Sequence, residues 1–146
     1  MLIGCLVAGL VTGRTFFLSL TYLFAGLLIG AWLWARLSVA GIRVGRRTPA
    51  RQTQVGRTFD EQFTVHNNSW LPKLWLEIRD GSTLPDHRAS RVVPGLLPGR
   101  RYTWTTQTLC RERGEFTLGP VTLIGGDPFG LYQIKRQLPA TASLLV

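Results

Sequence analysis

The sequence predicts a membrane-anchored all-β protein, with an N-terminal transmembrane helical hairpin followed by an antiparallel β-sandwich. Three observations carry that expectation. A long apolar run lies near the N-terminus and meets its first charge only at Arg36. Arginines crowd directly behind that run. From residue 42 onward, β-branched and aromatic residues alternate with polar ones, and turn residues recur about every ten positions. A chain of 146 residues, 45% of them hydrophobic, holds one compact domain and is not a disordered tail.

Residues 1–41 form the hairpin. Its second span, about residues 16–37, reads FFLSLTYLFAGLLIGAWLWARL. As a helix it reaches roughly 33 Å, enough for a hydrocarbon core of about 30 Å. Phe16, Phe17 and Tyr22 lie toward one end, and Trp32 and Trp34 toward the other, as interfacial rings should. Leu2 to Thr12 is shorter, about 17 Å as a helix, and Gly13-Arg14-Thr15 breaks it from the second span. No Lys or Arg precedes it and no small-residue cleavage site follows, so it reads as a short first arm rather than a secretory signal. Gly9 with Gly13 and Gly26 with Gly30 are spaced as GxxxG, a pattern that lets helices approach closely.

Charge then fixes an expected orientation. Residues 1–57 hold seven arginines and no acid, whereas residues 58–146 hold ten bases and all eight acids. Arg36, Arg43, Arg46, Arg47, Arg51 and Arg57 all follow the second span. The positive-inside tendency therefore places the β region in the cytoplasm of a cell (inner) membrane. At about 1 kcal/mol per Arg near anionic headgroups, these six would hold the exit segment against the membrane surface. The free cysteines, Cys5 and Cys110, suit a reducing compartment. Asn67-Asn68-Ser69 matches a glycosylation acceptor but carries no meaning in a cytoplasmic turn.

Residues 42–146 are the sandwich domain. Expected strands are Ile42–Arg47, Gln62–His66 with Phe59 ahead of it, Lys73–Arg79, Arg101–Leu109, Glu115–Ile124 and Leu131–Gln137, with an apolar strand-like end at Ser143–Val146. Between them stand Asn67-Asn68-Ser69, Asp80-Gly81, Pro94-Gly95, Pro98-Gly99 and Gly125-Gly126-Asp127-Pro128. Strands at this spacing without intervening helices point to an immunoglobulin-like antiparallel sandwich. The expected core is Phe63, Val65, either Leu74 or Trp75, Trp104, Phe116, Leu118 and Val121, with Phe129 and Leu131 covering one end. The final Leu144-Leu145-Val146 needs a sheet edge or a partner.

No constellation supports catalysis. Asp60-Glu61 reads as the solvated start of a strand, His66 as a strand residue, His87 as a loop residue and Cys110 as small apolar packing. Gly125-Gly126-Asp127 lacks the lysine and helix of a phosphate loop. No metal or cofactor is expected.

Two short motifs stand in the last quarter. Arg113-Gly114-Glu115-Phe116-Thr117-Leu118-Gly119-Pro120 places glycines at both ends of a short strand, and Asp127-Pro128-Phe129-Gly130-Leu131 starts a tight turn. Together with the paired apolar segments, the Arg-rich exit, Asn67-Asn68-Ser69 before Pro72, and Leu97-Pro98-Gly99, they resemble the amino-terminal region of the family called domain of unknown function 58. The resemblance takes in nearly all of residues 1–146 and excludes the von Willebrand A-like domain that follows in that family. It implies a membrane-anchored protein working beside a MoxR-type ATPase. The expectation is a non-catalytic interaction or structural module, an accessory subunit or assembly factor of a membrane complex. Its partners would be lipids and other membrane subunits. The alternative is a membrane-tethered basic nucleic-acid-binding protein. The near-balance of charge beyond residue 57 disfavours it, and no specific nucleic acid is expected.

Overall fold

A computed structural model of the chain describes residues 3, 4, 7, 15–49 and 51–146. Ile3, Gly4 and Val7 are helical, and the rest of the expected first arm, with Gly9, Gly13 and Arg14, lies outside the described residues. The second span is α1 (Thr15–Ser38), 24 residues long. Among the described residues it is the one helix long and apolar enough to cross a membrane. Its large side chains remain uncovered: Tyr22 is 74% exposed and Leu23 66%.

An all-β, antiparallel region follows, as the alternation predicts, and among the described residues it has nine strands: β1 (Ile42–Arg47), β2 (Thr58–Asn67), β3 (Lys73–Asp80), β4 (Arg91–Leu96), β5 (Arg101–Leu109), β6 (Glu115–Leu118), β7 (Val121–Gly126), β8 (Gln133–Leu138) and β9 (Ala142–Leu145). One sheet is ordered β1-β2-β5, a second β4-β3-β7-β8, and β6 pairs with β9. Between the sheets lie Ile42, Phe63, Val65 and Trp104 from the first and Leu76, Ile78, Val93, Leu96, Val121 and Leu123 from the second. Phe59, Leu84, Cys110, Leu118 and Leu144 form a second cluster.

Several local expectations are corrected. Strand β4 stands where Pro94-Gly95 suggested a turn. It is an edge strand, and an edge tolerates a proline that donates no ladder bond. The run Glu115–Ile124 is two strands, broken at Gly119-Pro120. On β3 the inward residues are Leu76 and Ile78. Leu74 is about half exposed, Trp75 is partly buried, and Phe116 is only partly buried. The end strand β9 finds its edge on β6, with Leu144 fully buried, and its other side is tied by the bond from Thr53 N to Leu145 O.

The join between helix and sandwich is tight. Lys73 is buried, and its Nζ donates at 2.5 Å to Leu37 O, a last-turn carbonyl that also accepts from Ala40 N at 3.2 Å. Burial pushes the Lys73 ammonium below its ordinary pKa. Ser38 and Val39 rest on Gly125, where a Cβ would lie 2.5 Å from Ser38 Oγ and 2.9 Å from Val39 Cγ1. Gly125→Ala should therefore push the helix end off β7 and cost about 1–3 kcal/mol. Gly45→Ala, whose Cβ would meet only Thr64 O at 3.8 Å, is the control. Denaturant unfolding of the full chain in detergent micelles, with proteolysis between Ser38 and Ile42, measures both; equal stability of the two variants contradicts the close fit.

Candidate functional site

Two places in the sandwich concentrate polar chemistry. The first is a buried charge cluster. Alternation along β1 turns the Arg46 side chain inward, where it is 4% exposed and lies over the Phe63 ring, 4.9 Å from guanidinium carbon to centroid. Phe63 in turn stacks on Trp104 at 5.2 Å, so one row crosses β1, β2 and β5. Arg46 Nε meets Glu61 Oε1 at 2.5 Å, and Nη2 meets Asp80 Oδ1 at 2.6 Å. Arg46 Nη1 donates to Ala140 O at 3.1 Å. His87 Nε2 lies 3.1 Å from Glu61 Oε2 and 3.2 Å from Asp80 Oδ2, and Nδ1 is 2.7 Å from Thr108 Oγ1. Thr48 donates to Glu61 and Ser82 to Asp80, while Gly119 N donates to Ser82 Oγ.

The cluster sets two cations against two carboxylates. Burial alone lowers an imidazole's pKa, but Asp80 and Glu61 outweigh it and raise His87 to about 9. Burial raises Asp80, yet His87, Ser82 and Arg46 together hold it below the usual carboxylate range. Among the described residues no group of three or more His, Cys, Asp or Glu is disposed to hold a metal. The side chains of Glu61 and His87 are both fully buried: Glu61 is not the solvated strand start that sequence suggested, and His87 stands in a loop as expected but with its ring inside.

The six exit arginines do not form one membrane-facing segment. Arg36 packs over Trp32 at 5.1 Å, and Arg43 is exposed near the start of β1. Strand β1 then runs away from the helix at about 3.3 Å per residue. Arg46 is inside the cluster, and Arg47, Arg51 and Arg57 are exposed toward the far end of the sheet. Gly26 and Gly30 are exposed, with nothing within 4 Å of a Cβ at either, among the described residues.

The two motif segments fall at opposite ends. Gly119 (φ +92°) brings its backbone beside Ala140 O and Arg46, and a Cβ there would lie 2.2 Å from that oxygen. Gly114 exchanges bonds with Val146, Leu118 is core, Arg113 is exposed, and Pro120 O accepts from Gly81 N. At the other end, buried Asp127 caps its own turn: Oδ2 accepts from Phe129 N at 3.0 Å and Oδ1 from Tyr132 N at 2.6 Å. Gly130 has φ +71°. Pro128, Phe129 and Leu131 are exposed, so the two apolar side chains do not cover the sandwich end as expected.

This second place is the helix-proximal end, where three loops meet. Asn68 N donates to Gly41 O, which ties the β2–β3 loop to the helix exit. Asn67 is fully buried; its Nδ2 donates to Leu71 O and Leu96 O, and its Oδ1 accepts from Ser69. Asn67 N and O bond Arg100 and Gly99 of the β4–β5 loop. The β7–β8 loop follows Gly125 and Gly126 beside Ser38.

No family model matches the chain, and no curated protein matches it by sequence. Among solved structures it is similar to the CARDB domain of the PF1109 protein from Pyrococcus furiosus, a structure in complex with di-metal ions. The TM-score is 0.51 at 13% identity, over 72% of this chain and 91% of that one. That likeness shows the sandwich fold. A β-glucosidase from Listeria innocua in complex with isofagomine aligns at TM-score 0.46 and 11% identity, over 72% of this chain but 16% of its own. It bears on neither fold nor activity here.

The cluster makes stability depend on pH. His87, raised to about 9, contributes fully below the unfolded value of 6.5 and loses that contribution as pH rises through 9. Asp80, lowered, contributes above 3.8 and loses that contribution on acidification. Unfolding free energy of the full chain in micelles should peak near pH 5–6 and fall by about 3 kcal/mol toward pH 10. His87→Gln should flatten the alkaline limb. Glu61→Gln leaves two cations facing one carboxylate and should cost about 3–5 kcal/mol. An unchanged alkaline limb in His87→Gln contradicts the assignment.

Proposed function

We propose that the chain is a non-catalytic interaction module anchored in a cell (inner) membrane. In this reading α1 spans the bilayer and the sandwich lies in the cytoplasm. The module is an accessory subunit or assembly factor of a membrane-protein complex. The observation that carries the reading is the form of α1: apolar, largely uncovered, and fixed to the sandwich by buried contacts at its last turn. An uncovered apolar surface of that length calls for lipid or other helices. The sequence likeness to the amino-terminal region of domain of unknown function 58 supports the same assignment. It makes a MoxR-type ATPase the partner class to test first. The buried titratable groups favour a role by contact, since Arg46, Glu61, Asp80 and His87 are paired with one another inside the sandwich.

Two measurements test this. A cysteine at Glu112, exposed on the β5–β6 loop, should react with an impermeant maleimide only after cells are opened. Labelling of intact cells overturns the cytoplasmic orientation. Replacing Gly26 and Gly30 with Leu fills the open helix face and should reduce co-purifying membrane subunits several-fold while leaving insertion intact. Undiminished recovery of the same partners removes the helix face from the proposal.

A further inference from the structure

We infer that the sandwich itself rests on the bilayer through the three helix-proximal loops. They form a lipid-contacting collar around the exit of α1, seated at the boundary between headgroups and acyl chains. The inference rests on the reading that α1 spans a membrane. Four large apolar residues project at this end: Trp70 from the β2–β3 loop, Leu97 from the β4–β5 loop, and Phe129 and Leu131 from the β7–β8 loop. Trp70 is 78% exposed and Phe129 65%. They come from separate stretches of sequence, so no single amphipathic segment produces the patch. The fold assembles it where the helix leaves.

The loops are built to hold these residues outward. Asn67 ties two of the loops together from inside, and Asp127 closes the third around Phe129. Loop tips with fixed backbones lose little conformational freedom on entering an interface.

Charge distinguishes a lipid occupant from others. Arg36, Arg43, Arg100 and Arg101 are exposed around this end. Of the chain's eight acids only Asp127 falls within the three loops, at residues 68–72, 97–100 and 127–132, and it is buried in its own turn. Asp60, Asp86, Glu112 and Glu115 are exposed toward the opposite end. An aromatic and aliphatic tip ringed by Arg, without an exposed carboxylate, suits an anionic headgroup layer over hydrocarbon.

The test uses the full chain carrying Cys5→Ser and reconstituted in phosphatidylcholine vesicles containing about one quarter phosphatidylglycerol. Cys110 is buried and stays unlabelled in the folded protein. Environment-sensitive fluorophores are placed singly at Leu97→Cys, Phe129→Cys, Val55→Cys and Leu23→Cys. Labels at 97 and 129 should be quenched more than two-fold by lipids brominated near the headgroup. The label at 55, in the far β1–β2 connection, should be unaffected, and that at 23 should report the bilayer interior. Labels at 97 and 129 behaving like 55 while 23 is in lipid overturn the collar and leave the span standing. An aqueous label at 23 overturns both. Protection of 97 and 129 in native membranes but not in vesicles gives the patch to a protein partner and also overturns the lipid assignment.

Discussion

The Arg46 guanidinium is the interaction around which the sandwich is arranged. It sits on β1, holds Glu61 of β2 beside it, and reaches Asp80 of β3 across the core. His87 bridges the same two carboxylates, so two side chains join the sheets through charge. The backbone carbonyl of Ala140 and the hydroxyl of Ser82 complete the shell of Arg46, and His87 closes the far side of both carboxylates. Removing four charges from water costs several kcal/mol for each ion, and their attraction returns roughly that amount. The cluster therefore does more to choose one arrangement than to deepen it. A slip of one residue in β1 or β2 would turn Arg46 or Glu61 outward and leave its partners buried and unpaired.

The same arrangement separates the sandwich into two ends with different tasks. The end holding the cluster is locked, with β9, Gly119 and the connection after β3 packed around it. The helix-proximal end is organised instead by neutral hydrogen bonds from Asn67 and by a single carboxylate, Asp127, folded into its own turn. Charge can be removed from that end because backbone donors and acceptors satisfy its loops, and this leaves its surface to apolar tips and arginine.

Much of this was legible in the chain. The uncharged run to Ala35 marked α1 to within a residue at each end, and alternation marked β1 and β5 at their observed bounds. The DPFG turn was legible because proline fixes φ locally and glycine admits the positive φ the turn needs. What escaped depended on contacts distant in sequence. Arg46 looks like its five arginine neighbours, and only pairing with residues 15 and 34 positions away makes it a core residue. Glu61 and His87 carry no local sign of burial, because their partners, Arg46 for Glu61 and Glu61 with Thr108 for His87, stand far off in sequence. Lys73 reads as an exposed strand start until Leu37 O is placed beside it. The outward turn of Phe129 was hidden for a related reason: hydrophobicity says that a residue seeks cover and does not say from what.

One consequence lies in the joint at Ser38. With Lys73 bonded to Leu37 and Gly125 pressed against Ser38 and Val39, only Val39, Ala40 and Gly41 separate the helix end from β1. Such a junction behaves as a rigid elbow and not as a tether. Strand β2 is ten residues long, about 33 Å, so a ten-degree lean of α1 would carry the distant end of the sandwich sideways by about 6 Å. Wherever α1 is seated in a bilayer, its thickness and lateral pressure, which set helix tilt, would be read out as the attitude of the whole domain.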